Sequence, residues 1–272
     1  MQTETIYEQR LCAFIDILGF RSLVRSSLNR PALQRKIRKL LREVKWAQPV
    51  WERDPPLDIM EAKSKLDGAK NPKAEAIRRA NKYAADERGS TFSDSLILSA
   101  VLDDHAIIGF ITSLLFLSQG VAELGMYVRG AVCLGSLYHD SDMCFGPALI
   151  EAYDLEKNAN YPRIVFTSEA YTLLSQVHST GTDPLKAYFR MDFDDKQFLD
   201  FLNQAAFEIS GPSRVERMSD IRSEINKQLT ASQVSDDVKG KILWLANYFN
   251  ISLEEAPIEG INPLSIDILN TL

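Results

Sequence analysis

The segment Leu11-Cys12-Ala13-Phe14-Ile15-Asp16-Ile17-Leu18 is an apolar run with one carboxylate inside it, and Gly19 follows directly. A run this short and this apolar reads as a buried strand ending in a turn. The first strand therefore carries an acid at its end. Ser90 to Ser99 reads as two short strands meeting at a tight Ser93-Asp94-Ser95 junction, a β-hairpin. Taken singly, Asp16 is equally well a helix N-cap or turn acid, and Asp94 is an ordinary hairpin residue. As a pair, ending neighbouring strands at one sheet edge, they repel unless a hard cation sits between them. The pair points to a two-metal phosphoryl-transfer site.

The remaining pattern frames that edge. Pro31 to Trp46 spaces Leu33, Ile37, Leu40, Leu41 and Val44 as a helix. Its other face carries Arg35, Lys36, Arg38, Lys39, Arg42 and Lys45, either solvated surface or a phosphate-binding strip. Pro49 to Gly89 breaks the pattern and reads as an insertion or lid around a short helix from Lys73 to Asp86. Asp103 or Asp104 caps a helix running to about Leu124 whose apolar content all round indicates burial. Its longest apolar stretch, Ala106 to Leu117, is too short for the ~20 residues a bilayer crossing needs. Met126 to Leu134 is a strand, a helix opens near Pro147 with Leu149, Ala152, Tyr153 and Leu155 inward, and Arg163 to Phe166 is a further strand.

This order suits an antiparallel or mixed sheet with helices on one face, an α+β fold of the ferredoxin-like class. No GxxxxGK[ST] or GxGxxG motif supports a nucleotide-binding parallel sheet. From Ser175 the chain is more polar, with peripheral helices at Val215 to Leu229 and Asp236 to Phe249 and an extended tail from Ile251 to Leu272. The expected organisation is a core over 1–172, with the insertion at 49–89. Residues 173–272 then form C-terminal strands and helices that pack on the core or on a dimer partner.

Composition narrows the chemistry. A chain of 272 residues with 45% hydrophobic content can bury one substantial core without staples. With 31 Lys and Arg against 37 Asp and Glu, the net charge of -6 argues against nonspecific nucleic-acid binding yet leaves room for a local basic pocket that receives phosphates. Cys12, Cys133 and Cys144 form no CxxC pair, and the N-terminus has no signal-peptide pattern, so a reducing cytoplasmic setting is expected, with no membrane association. His105, His139 and His178 lack metal-ligand spacing, and no Ser or Cys has a nucleophile's setting.

Phe14-Ile15-Asp16-Ile17-Leu18-Gly19-Phe20 resembles the first-strand motif of class III nucleotidyl cyclases, and Phe92-Ser93-Asp94 resembles their metal-binding hairpin. Val128 to Gly135, Phe145 to Glu156 and Arg163 to Ser168 are similar to later family segments, so the resemblance covers Leu11 to Tyr171 in order. It implies a ferredoxin-like class III cyclase core, two Mg²⁺ or Mn²⁺ ions held by Asp16, Asp94 and Ile17, and a homodimer with composite active sites. It also implies phosphate-receiving amides from Ile17, Leu18, Gly19 and Phe20. Arg129 is the candidate to stabilise charge at the α-phosphate, or else forms a structural salt bridge or dimer contact. Tyr153 either stacks on a base or belongs to the core.

The departures refine the resemblance. The family's transition-state Asn and Arg fall on Ile150 and Asp154, so another cation is needed. The purine-reading Lys falls on Ser90, and the second base-reading position falls near Ser141 or Asp142. With these changes the chain looks most like the pyrimidine cyclases of Pycsar anti-phage systems. That resemblance implies conversion of UTP, or else CTP, to a cyclic monophosphate that acts on a separate effector. The alternative is a degenerate cyclase fold serving as a nucleotide-binding or dimerisation module.

Overall fold

A computed structural model describes residues 5–46, 87–92, 95–140, 142–177, 185–210, 213–231 and 235–266. The predicted insertion, its short helix and Asp94 lie mostly or wholly outside these residues. The chain opens with β1 (Glu8–Ile17), α1 (Phe20–Ser26) and α2 (Pro31–Trp46). Then come β2 (Glu87–Phe92), β3 (Ser95–Val101), α3 (Asp104–Ala122) and β4 (Val128–His139). The sheet order β2-β3-β1-β4, antiparallel at each pairing, is the ferredoxin-like arrangement the sequence predicts. The fold is α+β.

Alternation along β1 explains why one strand serves two layers. Leu11, Ala13, Ile15 and Ile17 are buried in the main core with Leu40 of α2 and Ile107, Phe110 and Leu114 of α3. Helix α3 is capped by Asp103, whose carboxylate accepts from the amides of His105 and Ala106. This helix is long and apolar enough in composition to cross a membrane, yet 67% of its apolar window is buried within the fold.

Even-numbered residues of β1 face the other way, where the structure departs from the expected single helical layer. After β5 (Cys144–Phe145), which pairs with the end of β4, α4 (Pro147–Lys157) crosses the opposite sheet face. Cys12, Leu137 and Ala148 form a small second core there. Close approach is possible because residues are small: a Cβ on Gly135 would lie 3.2 Å from that of Ala148. Arg10, 1% exposed, also faces this side and donates to Ser99 Oγ at 3.1 Å, while Ser99 Oγ lies 2.8 Å from His139 Nδ1.

Beyond β4 the sheet continues through β6 (Ile164–Phe166), parallel to β4, and on to the hairpin of β7 (Phe189–Met191) and β8 (Gln197–Leu199). Short helix α5 (Ser168–Leu174) follows β6. Helices α6 (Gln204–Ser210), α7 (Arg214–Leu229) and α8 (Asp236–Glu255) complete the described chain. Residues of α7 and α8 such as Ile221, Ile225, Leu245 and Phe249 belong to the main core. The expected extended tail from Ile251 begins later, since α8 runs on to Glu255, and the segment after it packs on its own chain: Asn250 donates to the Leu264 carbonyl and accepts from its amide, at 2.9 and 2.7 Å.

A charged cluster fastens the far sheet edge. The Arg163 side chain, 0% exposed, bonds to Asp192 and Asp194, and Trp244 Nε1 donates to Asp192 at 2.8 Å. Partial burial pushes Asp194 upward, but hydrogen bonds from Arg163 and Lys196 prevail and hold its carboxyl at about 2, below the ordinary 3.8. Its folded pKa is depressed, so its contribution to stability is present above the unfolded value and is lost as pH falls from about 4 towards 2. Thermal melting from pH 7 down to about pH 2 should show Asp194→Asn with a lower melting point at pH 7 and a shallower acid slope than the wild type.

Gly130 controls the approach of β4 to β1. A Cβ there would meet the Phe14 carbonyl oxygen at 2.8 Å and Ile15 Cγ1 at 3.1 Å. Gly130→Ala should lower stability by about 1–3 kcal/mol through overpacking, measured as a shift of the urea midpoint.

Candidate active site

The two ladders of β1 place Asp16 directly opposite Ser95 on β3 and opposite Arg129 on β4. One step back, Phe14 lies opposite Ile97 and Ala131. Paired residues share a sheet face, so Asp16, Ser95 and Arg129 gather on the α4 side. There they line an open pocket of about 410 Å³ with Phe14, Ile17, Gly19, Phe20 and Arg21 from the first strand and its turn, and Tyr153, Glu156 and Lys157 from α4.

The wall is aromatic and the rim is charged. Phe14 and Tyr153 meet edge-on, with centroids 5.2 Å apart and an interplanar angle of 88°. Tyr153, expected to point inward, is 43% exposed and borders the pocket. Lys157 Nζ lies 3.8 Å from the centroid of the Tyr153 ring. Arg129 presents Nε and Nη2 to Glu156 Oε1, each at 2.5 Å, and the Glu156 side chain is 4% exposed. Arg129 is thus an ion-paired residue and a pocket residue at once. Glu156 was missed as a functional candidate; its signal was an acid on the buried side of an otherwise apolar helix stripe.

The turn after β1 divides its four amides. Leu18 donates its amide to the Tyr127 carbonyl at 2.9 Å and does not line the pocket, so that N–H is engaged inside the fold. Ile17, Gly19 and Phe20 do line the pocket. Gly19 has φ +76°, a backbone conformation that favours glycine, and precedes the first residue of α1. Ser90 pairs with Ile97, which pairs with Phe14, so register places Ser90 on the same sheet face two strands away. Ile150 is 65% exposed, and neither it nor Asp154 lines the pocket.

For divalent cations, the described donors are hard oxygens. Among the described residues no three His, Cys, Asp or Glu side chains cluster. A Mg²⁺ or Mn²⁺ ion needs only one or two carboxylates when substrate phosphates and water complete its shell, so Asp16 fits such an ion, with Ile17 beside it. Thiolate chemistry finds no footing: burial pushes Cys133 up to about 12, Cys144 up to about 11 and Cys12 well above its ordinary value.

No family model matches the chain, and no curated protein matches it. Among solved structures, the crystal structure of the adenylyl cyclase CyaB from P. aeruginosa overlaps with a TM-score of 0.41 at 13% identity, covering 70% of this chain and 93% of that one. An overlap of that size assigns no residue a role.

The Arg129–Glu156 pair yields a stability prediction. Glu156→Ala, which leaves the Arg129 charge, 20% exposed at the open pocket, without its carboxylate, should cost about 1–3 kcal/mol. Exposed Lys157→Ala, one residue along, should stay within about 0.5 kcal/mol of the wild type in the same urea titration.

Proposed function

We propose that this protein is a nucleotidyl cyclase that converts a pyrimidine nucleoside triphosphate, UTP in preference to CTP, to its 3′,5′-cyclic monophosphate and pyrophosphate. The observation that carries the reading is the position of Asp16. It is an acid ending the central buried strand, facing an open pocket, and paired in register with Ser95, whose chain neighbour is Asp94. The motif resemblance and the cations around the pocket support the same chemistry.

Asp16, Asp94 and the Ile17 carbonyl would hold Mg²⁺ or Mn²⁺. Such ions, when bound, lower the pKa of the ribose 3′-hydroxyl and offset triphosphate charge. The protein's own residues then orient the reaction. Gly19 and Phe20 direct backbone amides towards the β- and γ-phosphates, because a glycine turn allows close approach. Arg129, held by Glu156, offers fixed positive charge beside the α-phosphate as the 3′-oxygen attacks and pyrophosphate leaves. The Phe14–Tyr153 wall is an apolar surface for the nucleoside. Ser90 stands at the position of the family's purine-reading Lys and supplies no amine there, which favours the smaller base.

The chain acts as a homodimer in this reading, with sites completed across the interface. Exposed apolar side chains around the β4–β5 hairpin and the start of α4 support this, including Tyr7, Met143, Phe145 and Ile150. The cyclic product serves as a second messenger for a separate effector in bacterial anti-phage defence, and the setting is cytoplasmic. No nucleic acid or membrane takes part.

Incubation of the purified protein with each of the four triphosphates and Mn²⁺, followed by mass identification of products, tests the assignment. Cyclic UMP should dominate, and Asp16→Ala or Asp94→Ala should lower turnover at least about a hundredfold with the fold intact. Cyclic AMP as the main product refutes the pyrimidine assignment. No cyclic product from any triphosphate leaves a degenerate cyclase fold, serving as a nucleotide-binding or dimerisation module, as the correct reading.

A further inference from the structure

The three pocket cations are not equivalent. Arg129 is engaged by Glu156 at 2.5 Å through two nitrogens, and withdrawing it would strand a carboxylate that is 4% exposed. Arg21 is exposed in the first turn of α1. Lys157 ends α4 at the pocket rim and has no carboxylate within ion-pair distance among the described residues. Its ammonium instead rests 3.8 Å from the centre of the Tyr153 ring, one helical turn back. That ring is itself set edge-on against Phe14, two residues before Asp16 on β1.

A ring face holds an ammonium weakly, and a phosphate oxygen outcompetes it through a charge-assisted hydrogen bond. A Lys ammonium is a compact point charge on a flexible stem, able to leave the ring and follow a moving phosphate chain, whereas Arg129 is fixed by two nitrogens that share one Glu156 oxygen. We propose that Lys157 is the polyphosphate-gripping residue of this pocket and that Tyr153 is its positioning residue, parking the ammonium over the rim until phosphate arrives. The assignment rests on the pocket being a triphosphate site.

Calorimetric titration of the full chain with inorganic tripolyphosphate and Mg²⁺ tests the grip without any base or turnover. Lys157→Ala and Lys157→Gln should weaken binding about ten- to a hundredfold, the loss of one hydrogen bond between charged groups, with unchanged melting temperature. Lys157→Arg should remain within about threefold of the wild type, and so should Lys186→Ala, an exposed lysine outside the pocket. Tyr153→Phe, which keeps the ring, should bind as the wild type does, while Tyr153→Leu, which removes a contact the ammonium gives up on binding, should bind up to severalfold more tightly. If the wild type binds tripolyphosphate and Lys157→Ala binds equally well, the Lys157 assignment falls and the triphosphate reading stands. If the wild type binds none, both fall.

Discussion

The double ladder of β1, paired antiparallel with β3 on one side and β4 on the other, governs both the core and the pocket. Odd residues of the strand fill the main core against α2 and α3, and even residues face α4. Because side chains alternate with a period of two, a slip of one residue would turn Asp16 into the core and Ile15 to the pocket. The apolar run that makes β1 a buried strand thereby fixes where its single acid can go. Gly130 contributes by letting β4 lie against the Phe14 carbonyl without a side chain between them.

Helix α4 sets that half-buried acid in a pocket. Ala148 and Ala152 allow the helix to sit close to the sheet, and Tyr153, Glu156 and Lys157 then reach the end of the strands together. Their division of labour follows from burial. Glu156 is closed off from water and pairs with Arg129; Lys157 is exposed and rests against the face of the Tyr153 ring. A buried ion pair is rigid because breaking it leaves an uncompensated charge, whereas an exposed ammonium on a ring is free to move. Fixed and mobile positive charge side by side suit a site where a phosphate chain must be held while one of its bonds breaks.

The elements legible in the sequence are those whose signal is local. The 3.6-residue spacing of α2, the apolar girth of α3 and the Pro at the start of α4 each announced a helix near its observed bounds. The three-residue strands β6, β7 and β8 differ in this respect: β6 was visible as an apolar run, but β7 and β8 are too short to show a period. They exist because Arg163 gathers Asp192 and Asp194 and the neighbouring aromatic cluster around Trp244 closes over them. Such a network joins residues about thirty positions apart and leaves no mark in any local window.

Sequence alone determined that the chain has a central apolar strand ending in Asp16, that a glycine turn follows, and that the element order suits a ferredoxin-like α+β sheet. Those are consequences of periodicity and of backbone preferences, which act between near neighbours. Only the tertiary structure decided that α4 lies on the opposite sheet face, that Leu18 spends its amide on Tyr127, and that Glu156 claims Arg129. Each of these depends on which distant surfaces meet and what is left dry between them, since a carboxylate is neutral ground for pairing in water but must have its cation once water is excluded.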